Sequence, residues 1–257
     1  MSILLSGDFH ANAVNELAVI NREALVKQYG NEKFSGIKYH IILGDAGFMW
    51  PGNRSSDRHN YSVLAQRPFP ILCVIGNHEP ILGMSNLTET DIGLGETVYQ
   101  INNDPFTAYF KRGKIYLIEG FKALVLGGAL SNDKAYRTPG LSWWEREYWT
   151  EKEKQDLFYL LERENTFDIV LSHTGPNNIN KLMLRNPDSI YADRLRDEVA
   201  FMNDQVDNSI NCLQWWCGHW HRDRYFYDEE KKRSYQFLYH TTRILERQNN
   251  EILIHEN

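Results

Sequence analysis

Residues 71–80 read ILCVIGNHEP. Five apolar residues, Ile71 to Ile75, run into Gly76, and Asn77, His78 and Glu79 follow at once. A short apolar run closed by a turn residue reads as a buried strand. A strand that ends in an amide, an imidazole and a carboxylate sets down groups able to hold a metal or move a proton where the chain leaves the sheet.

Four other runs close the same way: ILLSGDFH (3–10), IILGDAG (41–47), IVLSHTGP (169–176) and WWCGHWH (215–221). In open α/β sheets the ligand crevice lies outside the carboxyl ends of the strands, so five loops from one sheet edge can converge on one place. They deliver Asp8, His10, Asp45, Asn77, His78, His173, His219 and His221, which include five of the nine histidines. Asp8 and His10 are two apart, as are His219 and His221; on an extended segment such pairs point the same way. Gly7, Gly44, Gly76 and Gly218 precede the polar residues and give the backbone room to turn. Taken singly, each residue has a plainer use. Asp8, Asp45 and Asn77 suit turns after glycine, His173 suits a hydrogen-bonded core edge, and His219 and His221 suit packing against tryptophan. One pattern recurring in five runs is what those separate readings leave unexplained. His40, His59, His240 and His255 lack this context and are expected to be structural or on the surface.

Imidazole, carboxylate and amide oxygen make a mixed nitrogen and oxygen donor set. It suits Mn, Fe, Zn or Ni better than thiolate-seeking ions; Mn or Fe is favoured here. Seven candidate ligands exceed what one tetrahedral ion takes, and two ions sharing one carboxylate fit the number. Two ions roughly 3.5–4 Å apart can clamp a phosphoryl group and generate hydroxide at neutral pH.

Outward from these runs the chain reads as α/β. Its 257 residues suffice for a large core, and 42% hydrophobic with 24% charged residues is globular composition. A net charge of −6 makes nucleic-acid backbone a disfavoured partner. Cys73, Cys212 and Cys217 sit in or beside apolar runs with no CxxC pair, which points to buried thiols in a reducing, cytoplasmic setting and away from a cysteine zinc site. MSILLSGDFH lacks a basic lead and reads as neither signal peptide nor anchor, and no run is long enough to span a bilayer.

Helices are expected over 11–30, with Gly30 as the stop, over 150–164 behind a Thr150/Glu153 capping box, and over 189–206 with Leu195, Val199, Met202 and Val206 on one stripe. GKIYLIEGFKALVLGGALS reads as two strands turning at Glu119–Gly120, RYFYDEEKKRSYQFLYH as a hairpin, and EILIHEN as a last strand. SNLTETDI reads as no strand, which removes a dinucleotide-binding reading of the GLGE run at 93–96. Residues 177–206, polar at the start, are a candidate lid. No linker or repeat stands out, so one domain spanning 1–257 is expected. Early strands alternate with helices and later ones pair as hairpins, which implies mixed rather than purely parallel sheets.

GDFH, GD, GNHE, SH and GHWH, in that order over residues 7–221, resemble the metallophosphoesterase (calcineurin-like phosphoesterase) family. GGALSNDKAYRTPGLSWWERE (127–147) is more loosely similar to a bacterial and phage-type subgroup. The family resemblance implies two mixed β-sheets sandwiched and flanked by helices, with a dinuclear site at one edge. It implies that Asp8, His10 and His221 hold one metal, that Asn77, His173 and His219 hold the other, and that Asp45 bridges them. His78 would contact the phosphate and protonate the leaving oxygen, with Glu79 a support at the mouth. A metal-bound hydroxide would attack phosphorus in line, hydrolysing a monoester or diester, with a nucleotide or small molecule favoured.

This sequence departs from the pattern of the Ser/Thr protein phosphatases in the family. They carry GDxxDRG, whereas GDAGFMW here puts Phe48 and Met49 in place of the second Asp and the Arg. That weakens the protein-phosphatase alternative and leaves His78 without its expected partner. Asn132, Asp133, Lys134 and Arg137 are the candidates for substrate grip, with Arg54 and Arg58 behind them, and Trp143, Trp144 and Trp149 are read as packing. A metal-stabilised scaffold without catalysis is the second alternative.

Overall fold

Alternation within the first strand sets the layering. In β1 (Ser2–Ser6) Ile3 and Leu5 face one way and Leu4 the other, and all three are fully buried. A strand buried on both faces belongs to the centre of a covered sheet. The computed structural model describes residues 1–10, 20–48, 67–80, 87–102, 104, 106–184, 196–249 and 251–256. Leu4 packs with Leu25 and Phe34 of α1 (Arg22–Gly36), while Ile3 and Leu5 meet Phe121, Val125 and Trp216 of a second sheet. β2 (Ile37–Ile42) and β3 (Ile71–Cys73) repeat the division, with Ile41 and Leu72 inward and Ile42 and Cys73 toward the helix.

The first sheet is completed by β4 (Leu87–Thr90), β5 (Val98–Ile101), β6 (Thr107–Phe110), β13 (Arg243–Gln248) and β14 (Glu251–His255), in the order β14-β13-β1-β2-β3-β6-β5-β4. The second comprises β7 (Lys114–Ile118), β8 (Phe121–Val125), β9 (Thr166–Leu171), β10 (Asn211–Cys217), β11 (Arg224–Asp228) and β12 (Arg233–Phe237), ordered β11-β12-β10-β9-β8-β7. Each sheet has a parallel centre, β1-β2-β3-β6 and β12-β10-β9-β8, and antiparallel margins. α2 (Glu151–Arg163) and α4 (Glu198–Ser209) cover the outside of the second sheet through Leu157, Leu161, Val199, Met202 and Val206, packed on Leu124, Val170 and Trp215. The fold is therefore α/β: two mixed sheets face to face with helices outside. The carboxyl ends of β1, β2, β3, β8, β9 and β10 carry the loops that bear the candidate residues.

Several expectations are met in detail. Thr150 and Glu153 form the capping box of α2. Glu119 (φ 49°) and Gly120 (φ 85°) make the two-residue turn between β7 and β8, as a hairpin's twist requires. The three cysteines are free and buried. Among the described residues no helix is long and apolar enough to cross a membrane.

Other expectations are corrected. Gly30 (φ 84°, ψ 163°) breaks α1 without ending it, because the chain resumes helical conformation as far as Gly36. The amino-terminal half of that expected helix, 11–19, lies outside the described residues. Leu87–Thr90 is a strand, although SNLTETDI reads as none. Its middle residues are exposed, and its order comes from pairing Leu87 with Ile101 and Thr90 with Val98 at the sheet margin, not from its own apolar content. β5, β6 and β13 lie in stretches that the sequence reading leaves unassigned. The third helix begins at Glu198 behind an Asp197 cap and runs to Ser209; 185–195 is not described. The described parts of the candidate lid are docked, not free. α3 (Asn177–Asn180) is pinned by Asn180 Nδ2 to Thr174 Oγ1 (3.1 Å) and Gly175 O (3.0 Å), and α4 by Asn203 Nδ2 to Thr174 O (2.8 Å).

Candidate metal centre

Glycine lets the strand ends approach one another. A Cβ on Gly44 would lie 2.2 Å from His173 Nδ1, one on Gly76 2.1 Å from Asp45 Oδ1, and one on Gly218 2.6 Å from Asp8 Oδ1. No side chain fits at those separations, so glycine is required by close approach as much as by turning. The next residues bend sharply. His10 (φ 47°), Asp45 (φ 49°), His219 (φ 65°) and His221 (φ 49°) are all left-handed. This corrects the expectation that paired residues share a face by strand alternation, because neither DFH nor HWH is extended. Such backbone costs about 1–3 kcal/mol per residue, and the loops hold it with hydrogen bonds. Phe9 N and His10 N donate to Asp45 O (3.1 and 2.9 Å), and Gly218 N donates to His173 O (2.9 Å).

The turns bring every one of the seven candidate ligands to one place. Asp8, His10 and His221 offer donor atoms within 4.8 Å of one another, and so do Asp45, His173 and His219. His219 and His221 thus lie in adjacent halves of one cluster. Asn77 adjoins the second half: His173 Nε2 lies 2.9 Å from Asn77 Oδ1. Asp45 stands between the halves, its Oδ2 3.2 Å from His173 Nε2, 3.7 Å from His78 Nε2 and 3.9 Å from His10 Nε2.

A cation fits this donor set. His10 Nε2 and His221 Nε2 are 2.6 Å apart, two ring nitrogens aimed at one point. Asp8 Oδ2 is buried without a hydrogen-bond partner, a costly state for a carboxylate oxygen unless a positive charge meets it. Burial pushes the Asp8 carboxyl up to about 8. Burial also works to raise Asp45, but His173, His78 and His10 hold it well below the usual carboxylate range. His173 is driven down by burial yet carried up to about 10 by the Asp45 and Asp8 carboxylates. The buried acids therefore call for positive charge at this point, as metal sites do. His173 Nδ1 faces Leu43 O at 2.8 Å, which turns Nε2 toward Asn77 and Asp45.

Beside the two halves opens a cleft of about 280 Å³ lined by His78, Asn132, Asp133 and Arg137 among others. His78 is partly exposed there, its backbone N–H donating to Asp45 Oδ1 (2.8 Å). Position 48 supplies no carboxylate for His78, and the side chain that comes up beside its ring is instead a donor, Arg137. Arg137 places Nη1 2.8 Å from His78 Nδ1 and Nη2 3.1 Å from His78 Nε2. It is itself gripped by Asp133 (2.5 and 2.7 Å) and donates to Ser142 O (2.8 Å). Phe48 is wholly buried in the outer core. Lys134 turns to the faces of Trp143 (4.0 Å) and Tyr148 (5.4 Å). Trp149 packs in the core, its indole donating to Gly127 O. Arg54 and Arg58 lie outside the described residues.

Sequence reasoning misplaced one supporting residue and missed another. Glu79 is buried rather than at the mouth, accepting from Gly76 N (2.6 Å), Asp45 N (3.2 Å) and Gly47 N (3.3 Å), so it ties the β2 and β3 loops together. Tyr239 stacks on His221, with ring centroids 4.8 Å apart and planes 13° apart, and Asp223 holds the Tyr239–Thr241 loop through three backbone N–H groups. Position 79 in GNHE was a signal for the first. Tyr239 has no local signal at all.

Residues 1–223 match the family model described as calcineurin-like phosphoesterase. A dimetal phosphatase from Danio rerio is similar in structure at 12% identity and a TM-score of 0.50, over 100% of this chain and 95% of that one. Less similar are the phosphopantetheinyl hydrolase PptH of Mycobacterium tuberculosis (14% identity, TM-score 0.44, 93% and 89% covered) and the NAD nucleotidase of Haemophilus influenzae (14%, 0.42, 100% and 49%). A search of curated protein sequences gave no significant match.

Proposed function

Because the chain belongs to the calcineurin-like phosphoesterase family, and so is a metal-dependent phosphoester hydrolase, we propose the following division of roles among its residues. Asp8, His10 and His221 hold one divalent ion, Asn77, His173 and His219 hold a second, and Asp45 is shared. The observation that carries this is the position of Asp45 Oδ2, within 3.2–3.9 Å of ring nitrogens on both sides. When bound, two such ions polarise the phosphoryl group and lower the pKa of a water. Mn²⁺ or Fe suits the donor set best, with Zn²⁺ or Ni²⁺ behind.

His78 is the proton donor to the leaving oxygen. It lines the cleft, and burial and the Arg137 charge lower its proton affinity against the pull of Asp45, which makes it a stronger acid. Arg137 and Asn132 line the same cleft and grip the phosphoester. Arg137 lies beside His78, where a phosphoryl oxygen would sit. The substrate is a nucleotide or small-molecule phosphoester, and monoester or diester preference follows from the test below. A Ser/Thr protein phosphatase fits less well, since Phe48 fills the outer core where that class carries its second Asp. Residues 1–257 act as one domain in a reducing cytoplasm. In support, β13 and β14 complete the first sheet and the three buried cysteines are free.

The test is hydrolysis by metal-stripped protein reloaded with Mn²⁺, Fe²⁺, Ni²⁺ or Zn²⁺. It is offered p-nitrophenyl phosphate, bis-p-nitrophenyl phosphate and a panel of linear and cyclic nucleotides, with Asp45→Ala and His78→Ala alongside. Metal-dependent turnover abolished by Asp45→Ala is the expected result. Turnover that survives Asp45→Ala sinks the shared-ligand assignment. Tight metal binding with no turnover on any ester favours the scaffold alternative.

A further inference from the structure

Asn77 can ligate only through Oδ1, so its amide must face one way, and nothing in Asn77 itself decides which. Its Nδ2 donates to Ser131 Oγ (2.9 Å). Ser131 Oγ in turn donates to Glu147 Oε2 (2.5 Å), while Glu147 Oε1 accepts from Ser131 N (3.3 Å). All three residues are buried, at 3%, 3% and 2% exposure. A hydroxyl has one proton and a carboxylate has none. The Ser131 proton is therefore spent on Glu147, and only lone pairs of Oγ are left toward Asn77. The amide edge facing Ser131 must be the NH₂ edge, which turns Oδ1 to His173 Nε2 at 2.9 Å. The relay is braced where it leaves the sheet. Gly128 has φ 86°, and a Cβ there would lie 2.2 Å from Glu147 O, so the β8 loop and the Glu145–Glu147 turn touch backbone to backbone.

We infer that Ser131 and Glu147 are positioning residues that fix the amide orientation of Asn77 and thereby the affinity of one of the two metal sites. This gives the opening and close of the 127–147 stretch a physical purpose, and it rests on the reading of Asn77 as a ligand. Supporting partners of metal ligands typically contribute 10–100-fold in metal affinity.

The experiment is equilibrium dialysis of Mn²⁺ into metal-stripped protein, with metal-free melting temperature measured on each variant. Ser131→Ala and Glu147→Gln are expected to weaken one of two Mn²⁺ sites by about 10–100-fold, to leave the other unchanged, and to shift the metal-free melting temperature little. E147Q offers an amide donor to Ser131, which frees the hydroxyl proton and lets the Asn77 amide turn over. In an N77D background either orientation presents an oxygen, so E147Q is expected to cost nothing there or to help. The inference is overturned if S131A and E147Q bind two ions as tightly as the native chain while Asn77→Ala loses one. It is also overturned if both sites weaken together with the melting temperature, or if E147Q is equally harmful in N77D. Retention of both ions at native affinity by Asn77→Ala removes the ligand reading itself.

Discussion

His10, Asp45, His219 and His221 are left-handed residues that are not glycine, and they converge on one point. Strain of that kind persists where the surroundings over-determine it, and here Glu79, the Asp45 carbonyl and the four strand-end glycines do so. The candidate residues were legible because each of them follows an apolar run in the sequence. Supporting residues were not, since Glu147 is 70 positions from Asn77 and Tyr239 is 18 from His221, with no periodicity to link them. Arg137 lies between these cases: it was a candidate by charge, but its contact with His78 depends on a loop that only the fold positions. The geometry makes a distinct prediction for it. Arg137→Gln keeps a donor but removes the charge and the bidentate grip of Asp133, so kcat/KM should fall on the order of 10²-fold, the usual cost of one transition-state donor. Metal content should stay at the native value. A fall in bound metal matching the fall in rate would show that Arg137 supports the metal site and not the substrate.

At the scale of elements, α2 was readable to the residue because its signals are local: Thr150 caps, Glu153 closes the box, and Leu157 and Leu161 face the core. β4 was not, because an edge strand owes its order to its neighbour. The same α2 cap has a second use that no local signal shows. Glu153 receives Arg112 in two bonds, at 3.1 and 2.9 Å, and Arg112 continues to Arg146 O (3.1 Å) and Tyr148 O (2.7 Å) while lying over Trp149. The pair thus ties the helix start to the end of the loop that carries Glu147. Burial works to raise the Glu153 carboxyl, but Arg112 and Thr150 bring it down to about 2. An acid whose folded pKa lies below its unfolded value contributes stability that is present above the unfolded value, near 4.5, and is lost as pH falls toward 2. Glu153→Gln should therefore lower unfolding free energy at pH 7 by roughly 1–3 kcal/mol, and the native and variant curves should draw together as pH falls from about 4.5 toward 2. Denaturant titration from pH 7 to 2.5 reads this directly. A constant gap across that range would mean that packing, not charge, sets the effect.

For the whole molecule, sandwich architecture was implied by the order of motifs, but the margins of the sheets were not. RILERQ alternates weakly and carries three charged residues, so nothing in it marks a strand beside the central β1. Yet β13 pairs with Ser2 through Leu5, and Ile244 and Leu245 are fully buried on opposite faces of the sheet. Arg247 reaches across to the second sheet, 2.6 Å from Asp168. The family match ends at 223, which raises the question of whether the last strands are an appendage. Energetics argues against that. Losing two buried aliphatic side chains costs about 4–10 kcal/mol by large-to-small comparisons, and the exposed edge of β1 adds unpaired backbone groups. A domain has only about 5–15 kcal/mol to lose. A chain ending after Thr242 should therefore lose its cooperative thermal transition and bind no Mn²⁺, although all seven proposed ligands remain in it. A cooperative transition near the native temperature in that truncated chain would refute the one-domain proposal, because it would show that residues 1–242 complete their core without β13 and β14.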